Sequence, residues 1–372
     1  MTWFKALNLE INWERDKLSG PLLLQTVNAT AQINWTTTAT DWAIKAQKNN
    51  ETELPEHYQD YWKVFCENAT RHFPSEREED HEIKFTNDAP SSFKAHTYHM
   101  DQEQITFMRK WIDEELRKSF IRDSKSPWLS LTFLIKKKNG DYRVIQDYWK
   151  LNSFTVLDKT PLLLIPDLIN QFHRKTLFTK FNICMEYNNI RIKEGDQQKA
   201  TFTISLGQYK PMVMSFGLRN APGTFMRTMN RLFWTLQNKY PREIQIYMDN
   251  ILIATTNDVE RHWTIVWEVL EIMKEEFLFL KLSKCEFEKT HIEYLGLILD
   301  KDTIQLDPTK VSSLQEWPCV LKTIKEVRST LGLLNYHQAF IPGFSHIVKL
   351  LTWLLKKDQP FFWTTTCTNI LN

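Results

Sequence analysis

Long hydrophobic runs, paired cysteines and a strong charge of either sign are all missing from this 372-residue chain. Without a run of roughly eighteen apolar residues, no membrane-spanning helix is expected. The N-terminus, Met1-Thr2-Trp3-Phe4-Lys5, lacks the architecture of a signal peptide, so the sequence points to a soluble intracellular protein with no membrane partner. The five cysteines, Cys66, Cys184, Cys285, Cys319 and Cys367, are odd in number, scattered, and form no Cys-x-x-Cys pair. That pattern excludes a disulfide framework and a zinc site and leaves them as small buried hydrophobes. A net charge of +2 is far from the basicity that would itself announce a nucleic-acid-binding protein.

What is present is an ordinary globular composition, 42% hydrophobic and 25% charged, on a chain long enough for two or three domains and a sizeable core. Four Asn-x-Ser/Thr triplets, at Asn28, Asn34, Asn50 and Asn68, are of the kind that arises by chance. Charge distribution is more informative than its total. Between Arg109 and Lys150 bases outnumber acids and interleave with Trp111, Phe120, Trp128, Phe133, Tyr142, Tyr148 and Trp149. Such a segment either contacts phosphates and stacks on bases or is a set of solvated lysines over core aromatics.

Up to about residue 100 no period dominates. A Thr/Asn-rich patch spans Thr26 to Thr40 and an acidic run spans Glu76 to Asp80, so a linker with some helix around Glu56 to Phe65 is expected. Ile105, Met108, Ile112 and Leu116 recur at helical spacing within Asp101 to Ser119. Two β-rich runs then flank Asn139-Gly140, a strong hairpin signal, with Lys136, Lys137 and Lys138 at its tip. Asn220-Ala221-Pro222 opens a helix whose stripe is Phe225, Met229, Leu232 and Leu236. Asn257 and Glu260 form a capping-box-like pair before a helix with Trp263, Val266, Leu270, Met273 and Phe277 facing inward. A further helix is expected over Ile324 to Phe340, and internal repeats are absent.

The chemistry concentrates in Ile244 to Ile253, two apolar, β-branched runs around a tight turn that reads as a hairpin with its one carboxylate, Asp249, at the tip. Taken singly, the notable features have plain explanations: Lys136 to Lys138 as a solvated turn, Tyr187 as core, Asp249-Asn250 as a common hairpin turn. Their joint order reads differently. Ser126-Pro127-Trp128, Lys136-Lys137-Lys138-Asn139-Gly140, Asp147-Tyr148-Trp149-Lys150-Leu151-Asn152, Phe178-Thr179-Lys180, Tyr187-Asn188-Asn189-Ile190-Arg191, Phe216-Gly217-Leu218, Asn220-Ala221-Pro222, Tyr247-Met248-Asp249, Lys284-Cys285-Glu286-Phe287 and Tyr294-Leu295-Gly296 follow one another along the chain. From about Asp101 to Trp363 the sequence resembles the reverse transcriptase of gypsy-type long-terminal-repeat retrotransposons, especially fungal ones.

The resemblance implies an α+β right-hand polymerase with fingers, palm and thumb. Residues 1–20 look like the tail of a retropepsin-like domain, 21–100 a linker, 101–300 the fingers and palm, 301–355 a thumb-like helical segment, and 356–372 the start of a truncated connection and ribonuclease H region. It also implies an RNA-directed DNA polymerase acting on an RNA or DNA template–primer with deoxynucleoside triphosphates, Mg²⁺ or Mn²⁺ as cofactor, and a cytoplasmic place in the element's virus-like particle. In the family, carboxylates at the positions of Asn182, Asp249 and Asn250 hold two metal ions. Lys137 and Arg143 match the fingertip residues that grip the triphosphate, Tyr187 the gate against a ribose 2′-hydroxyl, and Phe216 and Gly217 the floor under the templating pair. Leu295 and Gly296 match the turn that holds the primer, and Lys284 the lysine that protonates pyrophosphate.

Departures cluster at the site. Two of the three acids are amides, Asn182 and Asn250; Trp149 stands where Arg is usual, and Glu186 where Gly is usual. Mg²⁺ prefers charged oxygens, so one remaining carboxylate should hold metal weakly. Glu186, four residues past the end of its strand, is expected to point away from Asp249. The alternative to an impaired polymerase is a catalytically inactive, nucleic-acid-binding remnant of the polyprotein.

Overall fold

The computed structural model describes residues 10–12, 17–19, 54–65, 72–93, 98–136, 140, 142–160, 171–172, 174–301, 304–306, 318–336, 338, 341, 343–357 and 359–371. In chain order the strands are β1 (Glu10–Asn12), β2 (Lys17–Ser19), β3 (Ile121–Asp123), β4 (Ser130–Lys136), β5 (Tyr142–Asp147), β6 (Leu177–Asn182), β7 (Phe202–Ile204), β8 (Gly207–Pro211), β9 (Ile244–Tyr247), β10 (Asn250–Thr255), β11 (Glu286–Lys289), β12 (His291–Tyr294), β13 (Leu297–Asp300) and β14 (Ile304–Leu306). The helices used below are α1 (Gln102–Arg117), α2 (Trp149–Phe154), α3 (Ala221–Leu232), α4 (Trp234–Lys239), α5 (Val259–Glu275) and α6 (Ile324–Tyr336). The chain divides into two units, one of Ala29–Leu163 with Lys175–Thr290, the other of Met1–Asn28, Leu164–Arg174 and His291–Asn372.

The larger unit contains two sheets. A five-stranded sheet in the order β3-β8-β7-β4-β5 carries the Asn139-Gly140 hairpin, with Lys136 opposite Tyr142. Gly140 has φ 91°, a conformation glycine reaches at little cost. Lys137, Lys138 and Asn139 lie outside the described residues. The four-stranded sheet, β11-β6-β10-β9, is antiparallel throughout. Its strands read Phe181, Ile251 and Ile253 into a core shared with Phe225 and Met229 of α3 and Val266 and Leu270 of α5. Burying each such side chain is worth roughly 1.5–3 kcal/mol.

His262 of α5 is fully buried between two strands, its Nε2 2.7 Å from Thr179 Oγ1 and its Nδ1 3.0 Å from Thr255 Oγ1. Thr179 Oγ1 also accepts the Glu288 N–H, at 3.1 Å.

Expected helices appear with adjusted ends. Asp101 and Gln104 form a reciprocal capping box at the start of α1, at 2.8 and 3.0 Å, the kind of cap worth about 1 kcal/mol. Met108 and Ile112 are buried there, while Leu116, in the last turn, is exposed. Pro222 sits in the first turn of α3, and the helix breaks at Phe233 before Leu236 returns to the core in α4. The cap of α5 is Asp258, which accepts from Arg261 N, and not Asn257, whose own N–H donates to Thr176 Oγ1. Phe277 also departs from expectation: it follows the C-cap of α5 in a left-handed conformation, φ 55°, and is half exposed.

The described part of the expected linker is well packed. Glu56–Phe65 forms a 3₁₀ helix whose Tyr58, Val64 and Phe65 join the main core, Phe65 lying 5.8 Å from the Phe287 ring. His57 Nε2 meets Glu288 Oε1 at 2.5 Å, and the Trp263 indole N–H donates to the same oxygen at 2.9 Å.

In the smaller unit β1 pairs with β2, and β12, β13 and β14 form a meander. Leu295 and Gly296 make the β12–β13 turn, both at positive φ, 50° and 75°. Val327 and Leu331 of α6 pack with Leu351 and Cys367. Cys184, Cys285 and Cys367 are buried free thiols. Among the described residues no helix is long and apolar enough to cross a membrane.

Candidate active site

Register alone brings the key residues of the central sheet together. Asn250 pairs with Asn182 across the antiparallel β10–β6 ladder and with Tyr247 across β10–β9. The β9–β10 connection is therefore only Met248-Asp249, and Asp249 stands at its tip beside the last residue of β6. Met248 is held left-handed, φ 53°, a conformation that costs a non-glycine residue roughly 1–3 kcal/mol. Its N–H points at Met226 Sδ, 3.1 Å away, and the Asp249 carbonyl accepts the Ile183 N–H at 2.7 Å. The tip is thus fixed from both sides.

The three side chains close on one another. Asn182 Nδ2 donates to Asp249 Oδ2 at 2.6 Å and reaches Asn250 Oδ1 at 3.4 Å, while Asn250 Nδ2 donates to Asp249 Oδ1 at 2.8 Å. Both carboxylate oxygens are capped by amide hydrogens. Burial raises the Asp249 carboxyl above the usual carboxylate range, against the pull of the Asn182 hydrogen bond and the Lys284 charge.

Beyond β6 the chain turns sharply. Met185 is left-handed, φ 48°, and opens a 3₁₀ turn, Glu186–Asn189. The Asn189 amide clasps that turn from below, its Nδ2 donating to the carbonyls of Cys184, Met185 and Glu186 at 2.9, 3.2 and 3.3 Å. The turn leaves Glu186 within the field of Asp249: its carboxyl is pushed up to about 8, first by burial, then by the charge of Asp249, with Lys284 opposing. Lys284 ends a short turn, Leu282–Lys284, anchored where the Lys281 N–H donates to the Asn182 carbonyl at 2.9 Å. Glu186, Asp249 and Lys284 therefore share one electrostatic field.

Tyr187 is buried and packs edge-on against Phe216, ring centres 4.8 Å apart; burial raises its hydroxyl well above the ordinary phenol. Gly217 holds φ 94°, a conformation that strains any other residue, although a Cβ there would meet the Gln146 carbonyl at an ordinary 3.4 Å. Asn152 pins this turn by donating to Gly217 O at 2.7 Å and accepting from Arg219 N at 2.9 Å. Arg143 lies exposed on β5 opposite Ile135, and its expected companion Lys137 is outside the described residues. Leu295 and Gly296 belong to the smaller unit.

The donor set does not suit a pair of divalent ions. Mg²⁺ requires several oxygen ligands in octahedral array. Asp249 is the single acid of the triad, its oxygens already accept amide hydrogens, and among the described residues no group of three or more Asp, Glu, His or Cys is placed to hold a metal.

A carboxylate-tipped hairpin beside the end of a central strand, in a sheet backed by two helices, is the palm of a right-hand polymerase. Solved structures agree on the fold: the foamy viral protease–reverse transcriptase in complex with double-stranded DNA superposes with a TM-score of 0.70 at 20% identity, over 92% of this chain and 61% of that one. The same viral protein in complex with an RNA/DNA hybrid gives 0.64 at 20% identity, over 92% and 46%. The family model for reverse transcriptase (RNA-dependent DNA polymerase) matches residues 135–299. Over 282 residues the chain is 33% identical to the retrovirus-related Pol polyprotein from transposon 297 of Drosophila melanogaster, covering 74% of this chain and 26% of that protein. It is 29% identical over 322 residues to the transposon Tf2-7 polyprotein of Schizosaccharomyces pombe, covering 86% and 24%. The chain carries a reverse transcriptase domain of the kind found in transposon polyproteins, and it spans about a quarter of the length of these relatives.

Proposed function

We propose that the chain is the polymerase segment of a gypsy-type retrotransposon reverse transcriptase that binds an RNA or DNA template–primer, and that its deoxynucleotidyl transfer is impaired at Asn182 and Asn250. The observation that carries this reading is the β6–β10 register, which sets Asn182 and Asn250 opposite one another with Asp249 between them. Arg143, with Lys137, would grip the triphosphate as a fork and a point charge. Buried Tyr187 would close the sugar pocket, Phe216 and Gly217 would support the templating pair, and Leu295 and Gly296 would hold the primer strand. Lys284, sharing the field of Asp249, would be the proton donor to the leaving group.

With two charged metal ligands replaced by amides, the loss of several kcal/mol of transition-state stabilisation amounts to roughly a thousandfold or more in rate. Primer extension on an RNA template in Mg²⁺ or Mn²⁺ tests this. Slow templated incorporation supports the impaired polymerase. The closed triangle at Asp249 favours a second reading, a catalytically inactive nucleic-acid-binding remnant, which predicts template–primer binding with no incorporation in either metal. A chain that neither binds nor extends refutes both.

A further inference from the structure

The Tyr187 ring stands edge-on to Phe216, 4.8 Å away, and to Phe225, 6.1 Å away. Apolar contact is non-directional, so where the ring stands is set by the backbone beneath it, the 3₁₀ turn Glu186–Asn189. That turn does not hold itself. Met185, which opens it, is left-handed, a conformation that persists only where the surroundings enforce it. Part of the enforcement is internal, the Asn189 side chain donating to the carbonyls of Cys184, Met185 and Glu186. A further part comes from Arg77, 112 positions upstream in the acidic run of the expected linker.

The Arg77 side chain is only 8% exposed. Its Nη1 donates to the Asn189 carbonyl at 3.0 Å, and its Nη2 donates to the Glu276 carbonyl at 3.1 Å and to Glu276 Oε2 at 2.9 Å. Glu276 is the C-cap of α5, where carbonyls lack helical partners and attract a cation. The segment that carries Arg77 is itself tied down. The Arg77 N–H donates to Asp80 Oδ1 at 3.3 Å, the His81 N–H to the Arg191 carbonyl at 2.8 Å, and the Lys193 N–H to the His81 carbonyl at 2.9 Å. One planar guanidinium therefore joins residues 77–81, the Tyr187 turn and the end of α5. The rigid fork of arginine suits such a bridge, and the compact ammonium of lysine does not.

We infer that Arg77 is a positioning residue for the nucleotide sugar: acting through Asn189, it fixes where the Tyr187 ring stands and so how strongly the site prefers deoxyribose to ribose. The inference rests on the proposed reading of Tyr187 as a wall of the sugar pocket. It adds to that reading a residue that acts only through the turn.

Competition titrations of the full chain on a template–primer in Mg²⁺ give the ratio of ribo- to deoxynucleoside triphosphate dissociation constants. Damage that merely loosens the fold weakens both nucleotides together and leaves this ratio unchanged. The parent prefers the deoxynucleotide roughly ten- to a hundredfold, the range for rejecting one added hydroxyl, and Tyr187→Ala removes most of that preference. Arg77→Ala and Asn189→Ala each lose most of it too, and combining them loses no more, because both break the same connection. Arg77→Lys keeps the charge beside Glu276 without the fork; it shows the same loss and stands in for Arg77→Ala if that variant does not fold. An unchanged ratio in Arg77→Lys and Asn189→Ala, both folded by circular dichroism, overturns the inference, as do losses that add when the two sites are combined. A parent without preference, or a Tyr187→Ala variant that keeps it, overturns the sugar-pocket reading and this inference with it. That outcome is read without any Arg77 variant, which separates the two failures.

Discussion

Asn182 and Asn250 face each other across the β6–β10 ladder and both direct an amide N–H onto Asp249. An amide and a carboxylate have nearly the same shape, so the sheet accepts either; they differ in charge and in which atoms they can donate.

Restoring Asn182→Asp and Asn250→Asp together is therefore expected to give templated deoxynucleotide incorporation at least a thousandfold above the parent. Asn182→Asp should recover more than Asn250→Asp, since Asn182 occupies the position that bridges both metals in the family. The effects should be far from additive, as for residues acting as one unit. Because Glu186 shares the field of Asp249, adding Glu186→Gly should raise the rate further. Single-turnover primer extension measures all four; a parent as fast as the double variant refutes the metal-site argument.

Arg143→Ala should weaken deoxynucleoside triphosphate binding about tenfold or more, the scale of a charge-assisted hydrogen bond, and leave template–primer affinity nearly unchanged. Its side chain is exposed on β5, so stability should hold. Fluorescence titrations with each ligand separate the two affinities. Equal losses would make the residue structural.

Acid should destabilise the larger unit through two buried histidines. Burial holds His81 and His262 at about 4, below the ordinary 6.5. Between these values the unfolded chain binds more protons than the folded one, so stability is full above pH 6.5 and falls as pH drops towards 4. The slope reaches about 1.4 kcal/mol per pH unit for each histidine. Urea midpoints at pH 7 and pH 5 measure it, and His262→Gln should lower the difference by about half.

Template–primer binding should weaken steeply with salt, because the contacts are phosphate neutralisations by exposed lysine and arginine. Affinity titrations between 50 and 200 mM salt (roughly the range over which such contacts are resolved) give the slope. Binding that ignores ionic strength would refute it.

The hairpin tip could be read from sequence because two β-branched runs leave only one short turn between them, and the Asn139-Gly140 hairpin likewise. The pairing of Asn182 with Asn250 could not, since no local pattern fixes the register of strands so far apart in the chain; only the family resemblance singled out both positions. The influence of Asp249 on Glu186 is not legible from counting four residues past a strand end, which assumes extended chain, whereas Met185 turns left-handed and Asn189 clasps the segment. Adjacent Asn257 and Asp258 are equally good caps on sequence, and only the bond from Arg261 N singles out Asp258. The packing of Tyr58 and Phe65 was invisible because their partner Phe287 is more than two hundred residues away, beyond any periodicity.

The triangle at Asp249 also bears on how such a site changes over generations. Three clustered carboxylates repel one another, and without metal the strand ends that carry them are frustrated. Replacing two by amides turns repulsion into a closed ring of hydrogen bonds. On the proposed polymerase reading, selection for folding alone would keep Asn182 and Asn250, and only selection for turnover would favour acids there.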